Sequence, residues 1–198
     1  INEDTVRSDV DVNNNVSLSA KDVSTIDAMA LGLSAAGTVG AGAAISKSII
    51  ANDVETAITS SDVDSTAGTI SLESVSESVI RTLAAGLSGA GIAAAQASVT
   101  LNQVDNETTA KITDSVVTAE GRILVSAQEK APTLSDYLDN GLLPDDVVTS
   151  LEDSLSDASV DLTANILSFA GSVGGAGIAA GSAAAADSDI TNTTEASI

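Results

Sequence analysis

The acidic residues near the N-terminus are the first candidates for chemistry. Asp9, Asp11 and Asn13 alternate as DxDxN, and Asp62 and Asp64 repeat the first half of that pattern. Hard carboxylate oxygens suit calcium, but an EF-hand loop needs glycine at its sixth position and glutamate at its twelfth, where Asn14 and Ala20 stand. On a strand, Asp9 and Asp11 would face the same way, and stacked repeats would gather such pairs into places where calcium bridges one unit to the next. The plainer reading is a solvated acidic face, because the second copy has Ser115 and Val117 at the matching pair. Calcium is therefore the one candidate ligand, at Asp9, Asp11, Asp62 and Asp64, and no other cofactor is expected.

Catalysis finds little support. A glycosidase needs two positioned carboxyl groups in a sugar cleft, usually with aromatic platforms, and the only aromatic residues are Tyr137 and Phe169. Phe169 aligns with Met29 and Leu83 in the repeat described below, which marks it as an expected core position. Serines abound, yet the chain has no histidine to activate one and no cysteine to act as thiol nucleophile or zinc ligand. The glycines of GSVGGAG at 171–177 lack the Lys-Ser/Thr that completes a phosphate loop. Asn106-Glu107-Thr108 and Asn192-Thr193-Thr194 match glycosylation acceptors, which would be exposed in a glycosylating host. The expectation is a protein that is not an enzyme.

Composition bounds the scaffold. The 198 residues carry 28 acidic against seven basic side chains, a formal charge of −21. Such a surface repels phosphate backbones and anionic headgroups, which argues against nucleic acid and bare membrane as partners. With one Phe, one Tyr and no Trp, large side chains worth about 1.5–3 kcal/mol each on burial are scarce. Ordering each backbone residue still costs about 1–2 kcal/mol. Long hydrogen-bonded ladders and close packing of small residues must make up the difference, which favours a stacked architecture.

The chain is internally repetitive. Residues 26–58, 80–112 and 166–198 align without gaps: Ile26 with Ile80 and Ile166, Met29 with Leu83 and Phe169, Leu33 with Leu87 and Val173. Gly37, Gly91 and Gly177 recur at one phase, as do Asn52, Asn106 and Asn192. These six are expected to be structural, the asparagines as a polar ladder from unit to unit or as independent turn residues. A second module reads SSDVDSTAGTISLES at 60–74, TDSVVTAEGRILVSA at 113–127 and, shortened, RSDVDVNNNVSLSA at 7–20. The units are about 1–22, 23–76, 77–130 and 160–198, forming one repetitive domain. Val6 takes the slot of Ile198, so the phase predicts an array continuing in both directions. Without an initiator Met or signal peptide the chain reads as an excised piece.

The alternation of Ile70 with Leu72, and of Val16 with Leu18, predicts half-buried strands, with Gly68, Gly121 and Asn15 supplying the preceding turns. The Ala/Gly runs at 28–46, 82–104 and 162–186 carry no charge. Transfer of Ala, Gly, Ser and Thr into hydrocarbon gains little, and no basic or aromatic belt flanks the runs, so no direct membrane insertion is expected. Helical hairpins built from the Ala/Gly runs, with β modules between, are the rival. Strand is preferred because Ala43, Ile45, Lys47 and Ile49 alternate with Ala44, Ser46 and Ser48. The result is an all-β, quasi-one-dimensional stack. Only 131–157 departs from it: Leu134, Tyr137 and Leu138 share a helical face before Gly141, and Pro144 opens a second helical pattern. This short helical insertion, with Tyr137, Leu138 and Leu142, is the expected place for partner binding.

The segment AGLSGAGIAAAQASVTLNQVDNETTAKITDSVVTAEGRILVSA at 85–127 resembles repeats of large bacterial surface proteins of the filamentous-haemagglutinin and leukotoxin-like filamentous adhesin type. The resemblance covers nearly all of the chain except the insertion. It implies a right-handed parallel β-helix displayed outside the cell as a stalk or filament and used in attachment. The implied partners are further repeats or identical copies, and a protein or glycan of a host or neighbouring cell. Two alternatives stand beside this reading: a self-stacking filament or sheath subunit, and a carbohydrate-active β-helix passenger.

Overall fold

The computed structural model describes residues 7–131 and 165–198. All regular structure in them is β. The first unit holds β1 (Ser8–Val12), β2 (Val16–Ala36), β3 (Val39–Ile50) and β4 (Asp53–Thr59). The second repeats this as β5 (Ser61–Ser65), β6 (Ile70–Ala90), β7 (Ala93–Val104) and β8 (Glu107–Thr113). In the third, β9 (Val116–Ala119) precedes β10 (Ile123–Lys130) and β11 (Ile166–Ala176), which together match β6, followed by β12 (Ala179–Ile190) and β13 (Thr193–Ser197). The proposed helical insertion falls, apart from Ala131, outside the described residues. The rival helical hairpins are not formed, because both complete Ala/Gly runs, 28–46 and 82–104, lie in strands joined by tight turns.

Strands pair in parallel with their counterparts in the next unit, giving four sheets in which the second unit lies in the middle: β1-β5-β9, β2-β6 with β10 and β11 on its other edge, β3-β7-β12, and β4-β8-β13. The register reproduces the sequence repeat. Ile26 stands beside Ile80 and Ile80 beside Ile166; Leu33 stands beside Leu87 and Leu87 beside Val173. One local slip occurs at the turn into β6, where residues 66–69 number one more than residues 13–15 or 120–122. A Cβ on Gly68 in that turn would lie 2.5 Å from the Asn14 carbonyl carbon, so the close approach of successive turns requires glycine there. Ser60 and Asp114, at the corners leading into β5 and toward β9, adopt φ of 48° and 50°, a left-handed conformation that costs a non-glycine residue about 1–2 kcal/mol.

Within one unit the long strand forms one wall and the two following strands form the facing wall, with two different fillings between them. In the first half of the unit the filling starts apolar, where Ile58, Val63, Ile70, Leu72, Ala110 and Ile112 form a buried cluster extended by Val16, Leu18 and Val125, and then passes through buried Thr56, Ser74, Ser76, Ser78 and Thr108. A second small cluster of Ile50, Ile80 and Val104, flanked by Ile26 and Ile166, closes that half. Beyond it, in the Ala/Gly half, the filling becomes small and polar. The buried face of β6 presents Thr82, Ala84, Gly86 and Ser88, while that of β7 presents Ala94, Gln96, Ser98, Thr100 and Asn102. Gln96 explains the glycines opposite it: a Cβ on Gly86 would lie 2.0 Å from its Nε2, and one on Gly42 2.2 Å from its Oε1.

Candidate functional site

The DxDxN alternation becomes a stacked acidic face. Pairing of β1 with β5 sets Asp9 beside Asp62 and Asp11 beside Asp64, because Val63 and Ser65 are buried and the residues between them must point outward. Neighbouring parallel strands lie about 4.8 Å apart, so these are like-charge neighbours. The Arg7 Nη1 to Asp62 Oδ1 contact of 2.9 Å offsets part of the repulsion. In the third unit Val116 stands beside Asp62 and Thr118 beside Asp64, one residue on from the expected Ser115 and Val117, because the extra turn residue shifts the count. Among the described residues no group of three or more acidic side chains converges as a metal site requires. The arrangement supplies two carboxylate pairs that attract cations, without an enclosed coordination sphere.

The asparagine column lies at the bend between the two strands of the second wall. There the backbone N–H leaves the regular ladder and a side chain of the next unit replaces the missing acceptor. Asn52 N–H donates to Asn106 Oδ1 at 3.2 Å, and Asn106 N–H donates to Asn192 Oδ1 at 3.1 Å. The ladder resumes at once, since Glu107 N–H donates to the Asn52 carbonyl and Thr193 N–H to the Asn106 carbonyl, each at 2.8 Å. The amide nitrogens are spent on side chains of the long strands, and that of Asn106 reaches both its own unit and the next. Asn52 Nδ2 donates to Asp22 Oδ2 and Ser24 Oγ, and Asn106 Nδ2 to Ser78 Oγ and Glu129 Oε1. Asn106 is 1% exposed. The expected exposed glycosylation acceptor at Asn106 is therefore corrected: burial and three hydrogen bonds of its side-chain amide withdraw that amide from modification.

The glycine column lies at the opposite turn. A Cβ on Gly91 would sit 2.3 Å from the Gly37 carbonyl oxygen, and one on Gly177 2.5 Å from that of Gly91. Ion pairs also join successive units. Arg81 engages both carboxylate oxygens of Asp27, and Lys111 Nζ lies 3.0 Å from Glu55 Oε1. The hydrogen bond to Glu55 and its negative charge hold the Lys111 ammonium above the usual lysine range.

One expectation is overturned. Met29, Leu83 and Phe169 do form a column, but they are 69%, 36% and 62% exposed. Leu33, Leu87 and Val173 lie on the same outer face. The cause is strand parity. Ile80 is buried and Leu83 lies an odd number of residues beyond it on a continuous strand, so the two must face opposite ways. Space enforces the choice, since walls close enough to confine Gln96 between glycines leave no room for Leu or Phe. The Ala/Gly half is thus built with polar groups inside and large apolar groups outside. The signal was present in Ile45 and Ile49 alternating with Ser46 and Ser48, of which the serines are buried and the isoleucines exposed.

Between Met29, Leu83 and Phe169 on one side and Asp27, Arg81 and Leu167 on the other runs a shallow groove of about 370 Å³. The expected partner-binding residues Tyr137, Leu138 and Leu142 lie outside the described residues. Comparison with known proteins gives no match among family models, curated proteins or solved structures.

Proposed function

We propose that this chain is a structural and adhesive segment of a long, repetitive bacterial surface protein, wound as a right-handed parallel β-helix and exposed outside the cell. The observation that carries the reading is the register. Every described strand of one unit meets its counterpart in the next, and the same columns of isoleucine, glycine and asparagine run through all three units. Such a stack lengthens without redesign, and nearest-neighbour interfaces sustain it. The right hand rests on the family resemblance and on the strong preference of parallel crossover connections for that hand. Attachment to a protein or glycan of a host or neighbouring cell is assigned to 131–157, the one departure from the repeat. Calcium, where it acts, bridges the Asp9/Asp62 and Asp11/Asp64 pairs.

The test is binding of the chain to arrayed glycans and matrix proteins, with and without residues 131–157. Binding lost on deletion supports the reading, and binding that survives deletion overturns the placement of the adhesive site. A chain that binds nothing on either array counts against attachment altogether.

End-to-end self-stacking is a second reading, favoured by one specific observation. The outer edges of β1–β4 and of β9–β13 have no pairing partner among the described residues, and open parallel edges template further strands. Filaments that lengthen with concentration under the electron microscope would support it, and a rod that stays monomeric would exclude it.

A further inference from the structure

Exposed side chains on the outer wall of the Ala/Gly half form a continuous apolar surface. Met29, Leu83 and Phe169 form one column on β2, β6 and β11 and Leu33, Leu87 and Val173 another, four residues further along, with Leu31 on β2 between them; six of these seven side chains are more than half exposed. At roughly 100 Å² for each of these seven side chains, the patch presents about 700 Å². That exceeds the largest apolar patch of a typical monomer, about 300–600 Å². It is close to one partner's share of a standard interface, about 800 Å².

Charge identifies the occupant. The chain carries −21 overall, so two copies repel each other over most of their surfaces. The stretches 28–46, 82–104 and 165–186 contain no charged residue, and this half is where a second copy can approach without bringing carboxylates together. The rim is already neutralised, because Arg81 pairs with Asp27 beside the Met29 column. A lipid bilayer fits less well. The edges of β2 and β11 have rows of backbone groups with no pairing partner among the described residues, and each would cost several kcal/mol in hydrocarbon.

We infer that this face is a lateral self-association surface, on which a second copy packs outer wall to outer wall. The contact is distinct from end-to-end stacking, since it joins units side by side and uses side chains instead of backbone edges. Its strength grows with the number of units, because each adds another row to the patch. Specificity for outer wall against outer wall comes from continuity: the opposite wall presents Ala41, Ala43, Ala95 and Ala97 between exposed Val39 and Ile45, and Lys47 and Asp187 flank its Leu101, so its apolar area is broken by small residues and charge.

Sedimentation velocity from micromolar to millimolar concentration tests the inference on the intact chain. A monomer–dimer equilibrium is expected. Leu87→Asp should weaken it by about a hundredfold or more, because like charges would meet across the contact. Leu87 is exposed, so the variant should keep the parent circular dichroism spectrum; Leu33→Asp serves if it does not. The chain has no cysteine, so oxidation of single variants reports which wall meets which. Leu87→Cys should give a disulfide-linked dimer and Ala97→Cys should not. The inference is overturned by a monomer at millimolar concentration, by a dimer indifferent to Leu87→Asp, or by equal cross-linking through Ala97→Cys. Capture of phosphatidylcholine vesicles by a chain that stays monomeric would also overturn it, in favour of lipid.

Discussion

Asn106 and Gly91 show how single residues are set by the unit next door. The Asn106 side chain accepts the Asn52 N–H while its own N–H is accepted by Asn192, so removing its amide leaves a partly buried donor without its acceptor and removes the partner of Ser78 and Glu129. Asn106→Ala should cost about 1–3 kcal/mol, the penalty for an unpaired buried group, read as a lower urea midpoint. Gly91→Ala should cost a similar amount, about 1–3 kcal/mol, because its Cβ meets the Gly37 carbonyl and backbone cannot give way cheaply. Gly37→Ala should be nearly neutral, since a Cβ there meets nothing within 4 Å. The contrast between chemically identical substitutions at Gly37 and Gly91 separates contact with a preceding unit from any intrinsic preference for glycine. Both columns were legible in the sequence as residues recurring at one phase. Which atoms met could not be read, because that depends on a bend and a turn whose geometry no spacing encodes.

At the level of the strand, β6 changes character halfway along its length. Its first ten residues bury Ile70 and Leu72 and then Ser74, Ser76 and Ser78 and turn Glu73 and Glu77 outward; its last ten bury only small residues, Thr82, Ala84, Gly86 and Ser88, and turn Leu83 and Leu87 outward. Leu72→Ala should therefore cost about 2–5 kcal/mol by leaving a cavity. Leu33→Ser, which loses a larger exposed side chain, should change stability by no more than about 0.5 kcal/mol in the monomer. Parallel urea melts at low concentration make the comparison. Strand identity was readable from the period of two, and the repeat displacement from the isoleucines. The facing was misread for Phe169 because matching large apolar residues in three copies looks like a core. The decisive constraint was the narrow gap around Gln96, which follows from Gly32, Gly42 and Gly86 meeting across two walls. No local pattern announces that meeting.

For the whole molecule, the two halves of each unit divide the work. The apolar-filled half supplies stability and carries the acidic exterior; the thin half carries an uncharged exterior available for contact. Because the net charge of −21 opposes compaction, stability should rise as salt increases toward about 0.5 M and repulsion is screened. A midpoint that falls over that range would assign the inter-unit ion pairs among the described residues a larger role than surface pairs usually have. The central claim, a half built with small polar residues inside and large apolar residues outside, is most directly tested by cysteine accessibility along β6. In a chain without native cysteine, single substitutions from position 82 to 89, leaving out Gly86, are labelled with a water-soluble maleimide under native conditions. The structure predicts fast labelling at 83, 85, 87 and 89 and protection at 82, 84 and 88. The opposite alternation, or reactivity repeating every three to four residues, would contradict it.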